Sequence, residues 1–200
     1  MADLTTRSLD SATWPAFAAL VERHNGVWGG CWCMAFHPEG TGNHKPPGQN
    51  RTEKEARVHR GEAHAALVFD SEICVGWCQF GSPAELPRIK ARRAYEAEPA
   101  PAADWRITCL FVDKSYRRQG VAAAALAGAL GEISRLGGGL VESFPEDAEG
   151  RSVSSSFLHN GTLAMFEQAG FVRQRRLGKD RWLVTAVQPA GWALTQARMG

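Results

Sequence analysis

The sequence predicts an α/β domain, mixed in the α+β sense, built around one mixed sheet. Three observations carry that reading. Apolar runs of strand length alternate with stretches of helical spacing along the chain. One strand runs straight into a basic, glycine-bearing turn and a helix. The 200 residues are 44% hydrophobic and 22% charged, the balance of a globular domain rather than a disordered chain. A chain of this length buries a sizeable core, so residues 1–200 are expected to form a single domain.

Leu4 to Leu9 reads as an edge strand. Asp10 or Ser11 then caps a helix whose Trp14, Phe17, Leu20, Val21 and His24 recur at three-to-four spacing. Gly26, Gly29 and Gly30 end it. Residues 38–50, dense in Gly, Pro and Asn, form a loop, and Asn50 caps the following helix, which ends near Gly61. Ala65–Phe69 and Ile73–Phe80 form a hairpin through Asp70-Ser71-Glu72. Residues 91–104 read as a loop and not as a domain linker. Arg106–Val112 is a strong strand, followed by a helix from Gln119 to Leu136 with Leu126, Leu130 and Ile133 as its stripe. Gly139–Phe144 is the next strand, and residues 145–159 are a polar loop. A helix over Gly161–Gln168 precedes a closing hairpin, Phe171–Arg176 and Arg181–Val187.

Composition narrows the function. Lys plus Arg number 23 against 21 Asp plus Glu, a net charge of +2, too balanced to indicate nucleic-acid binding from charge. No apolar run approaches the ~18 residues of a membrane span, and the first ten residues lack a basic stretch and an apolar core. An odd count of five cysteines then points to reduced thiols and a cytoplasmic protein. Cys31-x-Cys33 with Cys74-x-x-x-Cys78 could be paired as a zinc site, but the knuckles are atypical. Buried structural thiols are the plainer reading, and no metal is expected.

The chemistry concentrates at Leu110-Phe111-Val112-Asp113-Lys114-Ser115-Tyr116-Arg117-Arg118-Gln119-Gly120-Val121-Ala122. An apolar strand entering a basic turn and a helix start makes an anion cradle, because backbone N–H groups converge where the helix dipole is positive. Gly120 permits close approach of a pyrophosphate, and Arg117 and Arg118 add charge-assisted donors. A capped amphipathic helix with exposed arginines explains the same residues without a ligand.

Arg117-x-x-Gly120-x-Ala122 matches the Q/R-x-x-G-x-G/A signature of the GNAT superfamily of acyl-CoA N-acyltransferases, with Val112 and Tyr116 in the positions that usually precede it. Downstream, Ala164-Met165-Phe166-Glu167-Gln168-Ala169-Gly170-Phe171 resembles the second signature in shifted form. The two motifs in this order, with the order of elements, make the chain resemble that family over residues 4 to 187. The resemblance implies a twisted mixed sheet of about seven strands flanked by helices, with splayed central parallel strands. It also implies acetyl-CoA as co-substrate and transfer of an acetyl group to a primary amine of a small molecule or peptide, by direct attack in a ternary complex. A GNAT-fold module that binds or senses acyl-CoA without turnover is the alternative. Many relatives pair as homodimers through their C-terminal strands.

By the same resemblance, Arg117, Arg118, Gln119, Gly120, Val121 and Ala122 hold the pyrophosphate. Leu110, Phe111 and Val112 pair with pantetheine through their main chain, and Asn160 contacts CoA, unless it only caps a helix. Glu142, facing the splay, is the first candidate for the base, against a reading as a solvated strand-end carboxylate. Cys109 sits where relatives often place a base, or is simply core. Phe166 stands where the family's tyrosine acid is usual, which leaves that role vacant. The cations Arg88, Lys90, Arg92 and Arg93 are placed near the CoA 3′-phosphate by charge alone. Trp28, Cys31, Trp32, Cys33 and Trp77 are assigned to the acceptor pocket, where indole faces suit cations and flat groups. Core packing is the competing reading for the tryptophans. The acceptor itself is not legible in the sequence.

Overall fold

A computed structural model describes residues 3–42, 44–150 and 158–191. Part of the expected polar loop, 151–157, lies outside the described residues. The sheet has seven strands: β1 Leu4–Ser8, β2 His64–Asp70, β3 Ile73–Gly81, β4 Trp105–Val112, β5 Gly139–Ser143, β6 Val172–Arg176 and β7 Trp182–Gln188. Their order is β1-β2-β3-β4-β5-β7-β6. Every pairing is antiparallel except β4 with β5. Both faces are covered, so β2 and β3 are almost wholly buried and read as continuous apolar runs instead of alternating ones.

Helix α1 (Trp14–Arg23) and α2 (Gln49–His59) cover one face, where Phe17, Leu20, Trp32, Leu67, Phe69 and Trp77 pack together. Helix α4 (Val121–Arg135) and α5 (Leu163–Gln168) cover the other, against Val68, Val75, Phe80 and Ile107. Gly76 of β3 lets α4 begin directly on the sheet: a Cβ there would lie 2.7 Å from Val121 Cγ1. Among the described residues no helix is long and apolar enough to cross a membrane.

Two irregularities shape the centre. In β4, Cys109 lies opposite Gln79 but Ile107 opposite Phe80, so Thr108 is an extra, bulged residue. The parallel pairing of β4 with β5 covers only Trp105, Arg106 and Ile107. From Thr108 onward the two strands part, and one edge of β4 is left without a strand.

Local expectations were corrected in four places. A short helix α3, Arg92–Glu96, sits inside the stretch expected as loop. Asp10 organises the turn before α1, its Oδ1 accepting from Ala12 and Thr13 N–H, but Thr13 is the residue at the helix boundary. Asn50 lies within α2 and donates to Gly30 O at 2.9 Å, tethering the Trp/Cys segment instead of capping. Thr162, not Asn160, caps α5.

All five cysteines are free and buried. Burial pushes the Cys31 and Cys74 thiols up to about 12 and raises Cys33 and Cys78 well above their ordinary value. The folded protein therefore keeps protons that the unfolded chain begins to lose near pH ~8.5, so stability falls as pH rises through that interval. Lys54 and Lys90, both lowered by burial, act in the opposite sense, two groups against the four thiols and the raised hydroxyls of Tyr95 and Tyr116. Under reducing conditions the melting temperature should fall from about pH 9 to about 12, and Cys74→Ala should make that decline shallower; a flat profile would contradict it.

Candidate functional site

The turn from β4 to α4 is built as the cradle requires. Arg118 (φ 60°) and Gly120 (φ 83°) are both left-handed, which turns the chain sharply into the helix. The first helical bond runs from Ala124 N–H to Gly120 O at 2.9 Å. The N–H groups of Val121, Ala122 and Ala123 therefore have no intrahelical acceptor and sit at the positive end of a 15-residue helix. A groove of about 410 Å³ runs past them, lined by Leu110, Phe111, Val112, Arg117, Arg118, Gly120, Val121 and Ala122, and by Trp28 and Met165. Asp113, ahead of the turn, is partly buried, which would raise its carboxyl. Hydrogen bonds from Ser115 N–H, His24 and Arg23 nevertheless hold it below its ordinary value.

The gap between β4 and β5 is wedged. Asn160, 1% exposed, donates from Nδ2 to the bulged Thr108 O at 2.6 Å and accepts at Oδ1 from Arg181 at 3.1 Å. Ser143 Oγ donates to Ile107 O at 3.0 Å, at the point where the strands part. Asn160 thus sets the splay and does not line the groove, which corrects its expected contact with CoA. Gln119 likewise stays out of the groove lining, its amide donating to Ser115 O.

On the other side of Trp28 lies a cavity of about 920 Å³, lined by Trp28, Cys31, Trp32, Cys33, Cys109, His159, Lys45 and Lys90 among others. Trp28 belongs to both spaces. Its indole meets Phe111 on the groove side and His159 on the cavity side, each edge-on at 5.8 Å. Trp32 only borders the cavity. It packs against Trp14 and Phe17, and the Arg51 guanidinium stands 5.7 Å from its ring centroid, so the protein's own cation occupies one of its faces.

Trp77 is not in the pocket. It is core, stacked on Phe111 at 4.7 Å. Glu142 is not placed as a base either. It is 1% exposed and lines neither space. Its Oε1 is held by Arg106 at 2.6 Å and its Oε2 accepts from Tyr95 OH at 3.0 Å. Phe166 is fully buried beside Phe171. Tyr116 lines the groove but donates its hydroxyl to Asp70. Of the four cations assigned to the 3′-phosphate none lines the groove; Arg88 bonds Pro38 O, Arg92 pairs with Glu96, and Lys90 faces the cavity.

Sequence reasoning missed His159, which borders the cavity beside Trp28 and Phe36. A histidine in an aperiodic loop carries no local signal; only the chain's return to the bulge places it. It also missed a buried polar cluster behind the cysteines. Lys54 Nζ lies 3.1 Å from His37 Nε2 and donates to Gln79 Oε1 at 3.2 Å. Burial, then Lys54, lowers His37 to about 2, so its imidazole is neutral and Nε2 accepts from the lysine. Cys33 and Cys109 touch each other in front of this cluster.

No family model matches the chain, and no curated protein matches it. Solved structures do share its fold. An N-acetyltransferase from Staphylococcus aureus Mu50 is 13% identical, with 93% of this chain and 99% of that one covered at a TM-score of 0.52. A structure from Desulfovibrio desulfuricans assigned to the GNAT family is 14% identical, with 92% and 98% covered at 0.53. The yncA protein of Salmonella typhimurium, solved with acetyl-CoA as its cofactor, is 14% identical, with 95% and 96% covered at 0.52. The chain has the GNAT fold: a seven-stranded mixed sheet flanked by helices, as in these neighbours.

The ion pair separates two roles for Glu142. As a buried structural partner of Arg106, it should lower stability by about 3–5 kcal/mol when the pair is broken by Glu142→Ala, measured by denaturant unfolding. Unchanged stability with lost activity would restore it as a base.

Proposed function

We propose that the chain is an acetyl-CoA-dependent N-acetyltransferase that acts on a primary amine of a small molecule or peptide, by direct attack in a ternary complex. One observation carries the reading: a groove with open main-chain donors and a larger cavity meet at a single side chain, Trp28, next to the bulged strand. The groove suits a pyrophosphate followed by an extended amide-bearing arm. The free N–H groups of Val121, Ala122 and Ala123 with Arg117 and Arg118 take the anion. The unpaired edge of β4 at Leu110, Phe111 and Val112 offers main-chain partners to pantetheine. The acetyl carbonyl then lies at the seam, where a main-chain N–H near Val112 polarises it.

The amine enters from the cavity with its lone pair on the carbonyl carbon. The N–C bond forms, the C–S bond breaks, and the amine's surplus proton passes to His159, directly or through a water. With Phe166 in place of a phenol, the departing CoA thiolate takes its proton from solvent. Cys109, on the cavity wall beside the bulge, frames the reacting carbonyl. The same absence of an available phenol favours a second reading, a module that binds acyl-CoA without turnover; release of free thiol in the presence of amines separates the two.

A ligand that binds only the folded state stabilises it by about 2.7 kcal/mol at a hundredfold excess over Kd. Acetyl-CoA should therefore raise the melting temperature, and Gly120→Val, strained at φ 83°, should abolish the rise. No rise in the wild type at millimolar acetyl-CoA would exclude both readings. His159→Gln should keep that rise while thiol release falls about a hundredfold or more; undiminished turnover would remove His159 from the chemistry.

A further inference from the structure

The charges around the cavity indicate what kind of amine it takes. Among the described residues no carboxylate lines it, and its lysines are Lys45 and Lys90. Lys45 is spent within the protein, donating to Gly40 O and paired with Glu53. Lys90 has no hydrogen bond or ion pair among the described residues. Burial and then Arg181 work against its charge, while Cys109 and Glu146 are the groups that favour it. Glu146 is already engaged by Arg181 at 3.3 Å. Lys90, an exposed residue on the cavity lining, is thus the cavity's one lysine without a hydrogen bond or ion pair among the described residues, within electrostatic range of Cys109 and so of the bulge in β4.

A polyamine or a lysine-rich peptide entering this space would meet a like charge and no carboxylate to offset it. An amine that brings its own anion would instead complete the site. We propose that the acceptor is an amine bearing an anionic group, carboxylate or phosphonate-like, a few bonds from its nitrogen, and that Lys90 binds that group. This rests on the acetyltransferase reading. The ammonium also helps the reaction, since a nearby cation lowers the acceptor's pKa and leaves more of it neutral and nucleophilic. Trp28 and Phe36 supply an apolar wall for the remainder of the molecule. Lys90 is then a specificity residue and not a catalytic one.

The test uses the full chain, acetyl-CoA and matched acceptors: L-phenylalanine against L-phenylalaninamide, 2-aminoethylphosphonate against 2-aminoethanol, and spermidine. Thiol release should favour the anionic member of at least one pair by tenfold or more in kcat/KM, and which pair does so identifies the anion. Lys90→Glu should erase the preference through acceptor KM, with the KM for acetyl-CoA within twofold of wild type. Equal or better use of the amides, the alcohol or spermidine would overturn the proposal, as would a preference that survives Lys90→Glu. If no amine is turned over, thermal shift decides. A Lys90-dependent shift with the anionic amines supports anion recognition although the acetyltransferase reading fails. A shift with acetyl-CoA but none with the anionic amines overturns this inference and leaves that reading intact.

Discussion

The separation of β4 from β5 is the constraint on which the rest of the molecule depends, and Asn160 holds it. A pair of parallel strands zips as far as its registers allow, and here pairing stops after Ile107. The bulge at Thr108 turns a carbonyl out of the ladder, and the Asn160 amide takes it at 2.6 Å. Arg181 fixes the other end of the same amide, and the main chain around it is pinned by Glu146 N–H to Gly161 O and Leu163 N–H to Glu146 O. A buried amide satisfied on both ends is costly to displace, since either partner left alone would lose about 1–3 kcal/mol. The wedge therefore keeps the β4 edge open.

What faces that opening is a segment under backbone strain. Asn25, Val27, Trp28, Trp32 and Cys33 all adopt left-handed φ, unusual for residues with a Cβ and especially for valine. Such conformations persist where packing over-determines them. Here the packing is visible: Trp32 is locked among Trp14, Phe17 and Arg51, Asn50 pulls on Gly30, and a Cβ at Gly26 would lie 2.7 Å from Gly30 Cα. The outcome is one indole, Trp28, held 42% exposed between groove and cavity while Val27, Cys31 and Trp32 are buried. The density of Trp and Cys in this segment thus has two uses, core for most and wall for a few.

The fold was legible because its signals are local. Strand-length runs, the Gly120 turn and the glycines after α4 each declare themselves within a few residues, and the residues read as a cradle form a left-handed turn into α4. Trp28, Cys31, Trp32 and Cys33, expected in an acceptor pocket, line the larger cavity. Glu142, Trp77, Asn160 and His159 were misjudged or missed for a shared reason: their roles depend on partners far along the chain. Glu142 meets Arg106, 36 residues away, and Asn160 meets Thr108, 52 away. A carboxylate facing a cleft and one buried against a guanidinium read alike in sequence. Only the cross-strand register separates them.

A crystal structure with acetyl-CoA tests the account most directly. It predicts the pyrophosphate on the N–H groups of Val121 to Ala123, the pantetheine arm along Leu110 to Val112, and the acetyl carbon beside Trp28, open to the cavity. A pyrophosphate bound elsewhere, or an acetyl group pointing away from the cavity, would contradict it.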